Sequence, residues 1–122
     1  MRRLAAAAAV LVSLLGAFTA ANAPQASADS MRGCSYPYVC FYLTKSNWDN
    51  HQPTAMFQDK GYWQNLGSNS RGAWGVVNTR NDDAALIKDS SGYISCAGPN
   101  GSLSGPGIAP FTQIKIVDTP HC

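Results

Sequence analysis

The chain has 122 residues, 45% of them hydrophobic and only 13% charged, with a formal net charge of +2. Arg2 and Arg3 carry that whole excess, so residues 29–122 are formally neutral and contain no basic cluster to neutralise a phosphate backbone, which argues against nucleic-acid binding. After the N-terminal segment no stretch is long and apolar enough to span a bilayer, so stable membrane insertion of the rest is not expected.

In chain order, MRRLAAAAAVLVSLLGAFTAANAPQASADS opens with two arginines, an apolar stretch from Leu4 to about Ala21, and small polar residues. This is the three-part layout of a secretory signal. Small-x-small cleavage sites occur at Ala21-Asn22-Ala23 and Ala26-Ser27-Ala28; Pro24 would follow the first, which favours the second. Residues 1–28 are therefore expected to be a signal peptide and residues 29–122 one secreted, extracellular domain. A domain of that size is marginally stabilised by its core alone, so cross-links matter.

All four cysteines, Cys34, Cys40, Cys96 and Cys122, lie in the exported part. An even count in an oxidising compartment suggests two disulfides, with three connectivities open. Cys34 and Cys40 are near enough to clip a short loop, which would leave Cys96 to tie down Cys122. That second loop, of roughly 27 residues, would contribute about 3 to 4 kcal/mol by the chain-entropy relation.

Residues 38–43 alternate Val39, Phe41 and Leu43 with Tyr38, Cys40 and Tyr42, which predicts a strand with one deeply buried and one partly covered face. Ser46 to Asn50 supplies turn formers around Trp48. A second short strand is expected over Thr54 to Gln58, then a helical turn or tight corner over Tyr62 to Leu66, and a polar loop from Gly67 to Gly72. Trp74 to Thr79 reads as a strand, Ala84 to Lys88 as strand or helical turn, Asp89 to Gly92 as a turn into Tyr93-Ile94-Ser95-Cys96. PNGSLSGPGIAP reads as a turn-rich connection, and FTQIKIV as a last strand with Ile114 and Ile116 facing a core. No run of ten or more residues keeps an apolar period of 3.6, so an all-β sandwich or barrel is expected. YVCFYL and YISCAG each place an aromatic residue and a cysteine on an early strand, which fits either two related Greek-key units or a coincidence in a strand-rich domain.

Catalytic readings are poorly supplied. Cys40 with Asp49 and His51 has the residue types of a thiol nucleophile and base, but a cystine has no thiolate. Asp49 with Asp59, or Asp82 with Asp83, could be nominated for glycoside hydrolysis, yet all are better read as solvated turn carboxylates. His51 and His121 lack the HExxH or CxxC partners of a zinc site, and Asn81-Asp82-Asp83 offers too few oxygens for calcium. No metal, cofactor or enzymatic activity is expected. Trp48, Trp63 and Trp74, with five tyrosines, could form a binding platform or serve as core corners.

CSYPYVCFYLTKSNWDN, YWQNLGSN, WGVVNTRNDDAALI and YISCAGPNGSLSG together resemble the secreted peptidase inhibitors of family I36, over about Cys34 to Val117. That family includes a streptomycete metalloprotease inhibitor and is similar in fold to the βγ-crystallins. The resemblance implies a small disulfide-stabilised βγ-crystallin-like Greek-key sandwich, and favours the internal recurrence. Calcium-binding domains of that type carry an acidic or amide pair followed by two hydroxyl residues; the nearest places here read NSRGAWG and IAPFTQI, which weakens the calcium reading. The function implied is a monomeric, secreted inhibitor that blocks a peptidase, a zinc metalloprotease first, by inserting a rigid loop into its cleft. One candidate interaction loop is Pro99, Asn100, Gly101, Ser102, Leu103, Ser104, Gly105, Pro106, Gly107 and Ile108, continuing to Pro110; the other is Asn65 to Gly72. The alternative is a structural or interaction module binding an envelope polymer or protein through exposed aromatic residues.

Overall fold

The computed structural model describes residues 30–122; the expected signal segment and both candidate cleavage sites lie outside them. A two-residue hairpin, β1 (Ser30–Met31) with β2 (Cys34–Ser35), leads into β3 (Val39–Tyr42). All four residues of β3 are buried. Val39 and Phe41 point into the main core with Val76, Ile87, Ile114 and Ile116. Cys40 and Tyr42 point the other way into a second apolar cluster with Cys34, Trp48 and Val77. The expected half-covered face is thus fully covered, because the β1–β2 hairpin and the segment carrying Trp48 close over it.

That segment is a single helical turn, α1 (Lys45–Asp49), and not the plain turn expected. Thr44 caps it by accepting from the Asn47 N–H, while the Asn47 side chain accepts from the Thr44 N–H, so two orphan donors are satisfied reciprocally. The helix buries Trp48, whose ring meets Tyr42 edge-on at 5.2 Å between centroids. Gly75 is required beneath it: a Cβ there would lie 2.2 Å from the Trp48 Cε3 atom.

The remaining strands are β4 (Ala55–Phe57), β5 (Gln64–Asn65), β6 (Gly75–Asn78), β7 (Ala85–Asp89), β8 (Ile94–Ala97), β9 (Ser102–Ser104) and β10 (Phe111–Ile116). They form two four-stranded antiparallel sheets, β4-β3-β6-β9 and β5-β10-β7-β8. The chain is a disulfide-stabilised Greek-key β-sandwich, with the main core between the sheets.

The strand order carries a repeat. In the first half β3 pairs with β4 and β6, while β5 crosses over to pair with β10. In the second half β7 pairs with β8 and β10, while β9 crosses over to pair with β6. Each half therefore completes the other's sheet. The repeat equates β3 with β7, so the two strings that suggested it are misaligned: YVCFYL lies on the first strand of its half and YISCAG on the second strand of the other.

Two further expectations change, and one open between strand and helical turn is decided as strand. The 62–66 corner holds the two-residue strand β5, since Asn65 and Gln64 find backbone partners on β10. Residues 84–88 resolve as the strand β7. The connection from Pro99 contains the edge strand β9, which β6 orders through three register pairs, Gly75 with Ser104, Val76 with Leu103 and Val77 with Ser102.

Candidate functional site

β6 and β9 run antiparallel, so the ends of the sandwich differ. At one end lies Asn78, fully buried, whose Nδ2 donates to the carbonyls of Asp83, Ala97 and Gly98 at 2.9, 3.0 and 3.1 Å. Its Oδ1 accepts from the Arg80 N–H at 2.9 Å. Beside it the Arg80 guanidinium donates to Asp83 at 2.7 Å and to the Pro37 carbonyl at 2.9 Å. Lys60 bridges Asp83 at 3.7 Å and also pairs with Asp118, so Asp118 is held below its ordinary pKa by the Lys60 hydrogen bond. Asp83 is thereby a buried, paired carboxylate and not the solvated one expected. Its pairing also removes it from any calcium ligand set, and the Asn81 side chain is engaged with Asn100.

The opposite end carries the candidate site. There the chain leaves β9, crosses from one sheet to the other as Gly105 to Pro110, and enters β10. The crossing is pinned where it starts and ends. The Gly105 N–H donates to the Trp74 carbonyl at 3.0 Å, and the Pro110 carbonyl accepts from the Ser90 N–H at 2.9 Å. Gly105 has φ +103, a conformation that favours glycine. Between the pins Pro106, Gly107 and Ile108 are exposed, and Ile108 is completely so, at 108% relative to a reference chain. A side chain of that size gains nothing from water, so its exposure is a cost that the fold does not recover.

The second predicted loop comes to the same place. Leu66 and Gly72 donate their backbone N–H groups to Thr112 and Phe111, both at 2.9 Å. Ser70, Arg71 and Ala73 close turns within the segment, and Thr54 donates its hydroxyl to the Asn69 carbonyl at 2.6 Å. The 65–72 segment is therefore a tied-down wall, and the 105–110 crossing is the free part. On its other flank, the Asp89 carboxylate accepts from the N–H and hydroxyl of Ser91 and from the Tyr93 N–H, and these bonds, the Ser91 hydroxyl first, hold its pKa below the ordinary value. That closes the β7–β8 turn against the crossing.

Two depressions flank the crossing. One, of about 320 Å³, lies toward Leu43, Lys45, Ala73 and Trp74. The other, of about 440 Å³, is floored by Leu103 and Phe111 and walled by Tyr93 and Ser95. The crossing stands as a ridge between them.

The long candidate loop is thus divided by the structure. Pro99, Asn100 and Gly101 form a turn at the Asn78 end, where the Asn100 N–H donates to the Arg80 carbonyl and Asn100 has φ 55. Ser102, Leu103 and Ser104 are β9. Only Gly105, Pro106, Gly107 and Ile108 reach the exposed ridge.

No family model, curated protein or solved structure matches this chain. What the arrangement can do rests on its own geometry. Cys34 is bonded to Cys40 and Cys96 to Cys122, with Cα separations of 5.8 and 5.7 Å. Cys40 consequently has no thiolate to offer Asp49 or His51; Asp49 pairs with Lys45 at 2.6 Å, and His51 is exposed with φ 55. Among the described residues no three His, Cys, Asp or Glu side chains gather as a metal site, and no helix is long and apolar enough to cross a membrane.

The tryptophans are occupied by the fold. Trp48 is buried, with the Arg32 guanidinium 4.2 Å from its ring centroid; Trp63 lies under the Lys88 ammonium at 4.0 Å; Trp74 is half-buried. Among the described residues the exposed large apolar side chains are Tyr36, Met56, Tyr62, Tyr93, Ile94 and Ile108. Ile108 was legible in sequence only as one aliphatic residue inside G-P-G-I-A-P, a pattern of two prolines and two glycines around a single large side chain.

Proposed function

We propose that the protein is a secreted, non-enzymatic peptidase inhibitor that presents the Gly105 to Pro110 ridge to the cleft of its target. The observation that carries this reading is the fully exposed Ile108 on a short crossing whose two ends are held by backbone hydrogen bonds to different sheets. Holding the ends before binding reduces the ordering cost that an unconstrained loop would incur on entering a cleft. The flanking depressions leave both sides of the ridge clear for the walls of an enzyme cleft. Small residues on either side of Ile108 let a cleft approach the backbone closely.

A zinc metalloprotease is the first target class to test, as the resemblance to family I36 implies. The exported protein is titrated at stoichiometric concentration against metallo-, serine and cysteine endopeptidases. Inhibition that saturates at one inhibitor per enzyme supports the reading. Full activity in every class at a large excess of inhibitor overturns it.

A further inference from the structure

Within the inhibitor reading, on which this step rests, we infer that Gly107–Ile108 is the peptide bond laid across the enzyme's reacting centre, that Ile108 fills an apolar specificity pocket, and that the fold retains both chain segments if the bond is cut.

Ile108 is the one large side chain between Gly105 and Pro110, and none of it is covered. A large side chain filling a desolvated pocket is the kind of contact that dominates a protein–protein interface. On the other side of the bond Gly107 has no side chain to obstruct an approaching catalytic group, and it too is exposed. Its lack of a Cβ is also locally suited, since one would come within 3.2 Å of the Ala109 carbonyl oxygen. The partner this selects is an endopeptidase whose pocket for the residue supplying the amine of the scissile bond is apolar.

Hydrolysis adds one water across that bond, leaving a carboxylate on Gly107 and an amino group on Ile108, with no redox change. Such a cut frees a fragment only where neither packing nor a cross-link holds it. Here the segment from Ile108 to Cys122 contains β10, which is hydrogen-bonded on one side to β5 and on the other to β7. It buries Ile114 and Ile116 completely. Its last residue, Cys122, is covalently joined to Cys96, upstream of the cut. The new ends also stay close to their pins, Gly105 on Trp74 and Pro110 on Ser90. The cut chain therefore remains one folded molecule that still presents Gly107 and Ile108 side by side, and product release, the step that would free the enzyme, is blocked.

The test uses the exported protein with an inhibited zinc endopeptidase, or whichever endopeptidase the titration finds. Ile108→Asp is expected to weaken inhibition at least about thirtyfold, the effect of losing an interface anchor, while Met56→Asp, on the exposed face of β4, leaves it unchanged. Prolonged incubation is expected to yield a species heavier by one water that stays intact without reductant, separates between Gly107 and Ile108 after reduction and denaturation, and inhibits fresh enzyme. An Ile108→Asp protein as potent as the wild type overturns the inference and leaves the inhibitor reading standing. So does a cut at another bond, no cut at all, or loss of the C-terminal fragment without reduction. Absence of inhibition by the wild type overturns both.

Discussion

Replacing Asn78 tests how the two halves are joined. Its Nδ2 reaches three carbonyls, those of Asp83, Ala97 and Gly98, and its Oδ1 accepts the Arg80 N–H, all with the residue fully buried. Asp83 and Ala97 flank β7 and end β8 in one sheet, whereas Asn78 ends β6 in the other, so a single amide links the sheets where neither can reach the other through a ladder. Asn78→Ala removes two N–H donors that serve three carbonyls, and the acceptor of the Arg80 N–H, about three hydrogen bonds in all, and leaves buried groups without water. At about 1 kcal/mol net per bond, with more for each group left unsatisfied, the loss is about 3 to 5 kcal/mol. In urea this lowers the unfolding midpoint by at least about 2 M for a domain of this size. Asn78→Asp is expected to be worse near neutrality, because a carboxylate donates nothing and faces three carbonyl oxygens. Its carboxyl pKa in the folded state lies above the unfolded value, so its deficit grows as pH rises through the unfolded carboxylate range and shrinks on acidification. An Asn78→Ala loss below about 1 kcal/mol, or an Asn78→Asp deficit that does not ease at low pH, refutes the reasoning.

Gly75→Ala drives a Cβ to 2.2 Å from the Trp48 ring and should cost about 2 kcal/mol or more by overpacking; a thermal melt measures it, and combining it with Trp48→Leu should cost less than the sum. Removing the second disulfide by Cys96→Ser with Cys122→Ser releases a link across a sequence separation of 26, worth about 3.5 kcal/mol in the chain-entropy relation. Melting should then fall by roughly 15 to 25 °C, and a fall under about 5 °C would show that the C-terminal strand is held without it. Burial pushes the Tyr42 hydroxyl from 10.0 up to about 12, against a small opposing pull from Arg32, while the hydroxyl donates to the Arg32 carbonyl at 2.5 Å. The folded state keeps this proton where the unfolded state has lost it, so stability falls as pH rises from 10.0 to about 12. Tyr42→Phe, compared with the wild type by melting temperature across that interval, should show a shallower decline; equal slopes would remove Tyr42 as the cause.

Much of the fold was legible in local pattern. Alternation over 38–43 and 111–117 marks β3 and β10 because successive strand side chains point to opposite faces, and tertiary contact only strengthens that choice. Turn residues marked the Asp89–Gly92 corner for the same reason: the Asp89 side chain satisfies backbone groups two and four residues on, a purely local event. Short elements were legible only in part: β4 falls within the strand expected over Thr54 to Gln58, whereas β5 and β9 did not show. β5 and β9 have two and three residues, too few to show a period, and they exist because β10 and β6 offer partners distant in sequence. Asp83 read as a solvated carboxylate because its burial and its second partner, Lys60, come from residues distant in sequence, although Arg80 lies only three residues away. The long candidate loop read as uniform because composition does not distinguish a residue paired to a sheet edge from one left free.

By itself, then, the sequence determined an all-β chain, its longer strands and its main turns, since these depend on side-chain alternation and on bonds between near neighbours. Only the tertiary structure decided that the third strand of each half completes the opposite sheet, that Asn78 joins the two sheets inside, and that Ile108, alone of the core-type aliphatics among the described residues, stands wholly in water. Those outcomes depend on contacts between residues far apart in the chain, and such contacts have no expression in local spacing.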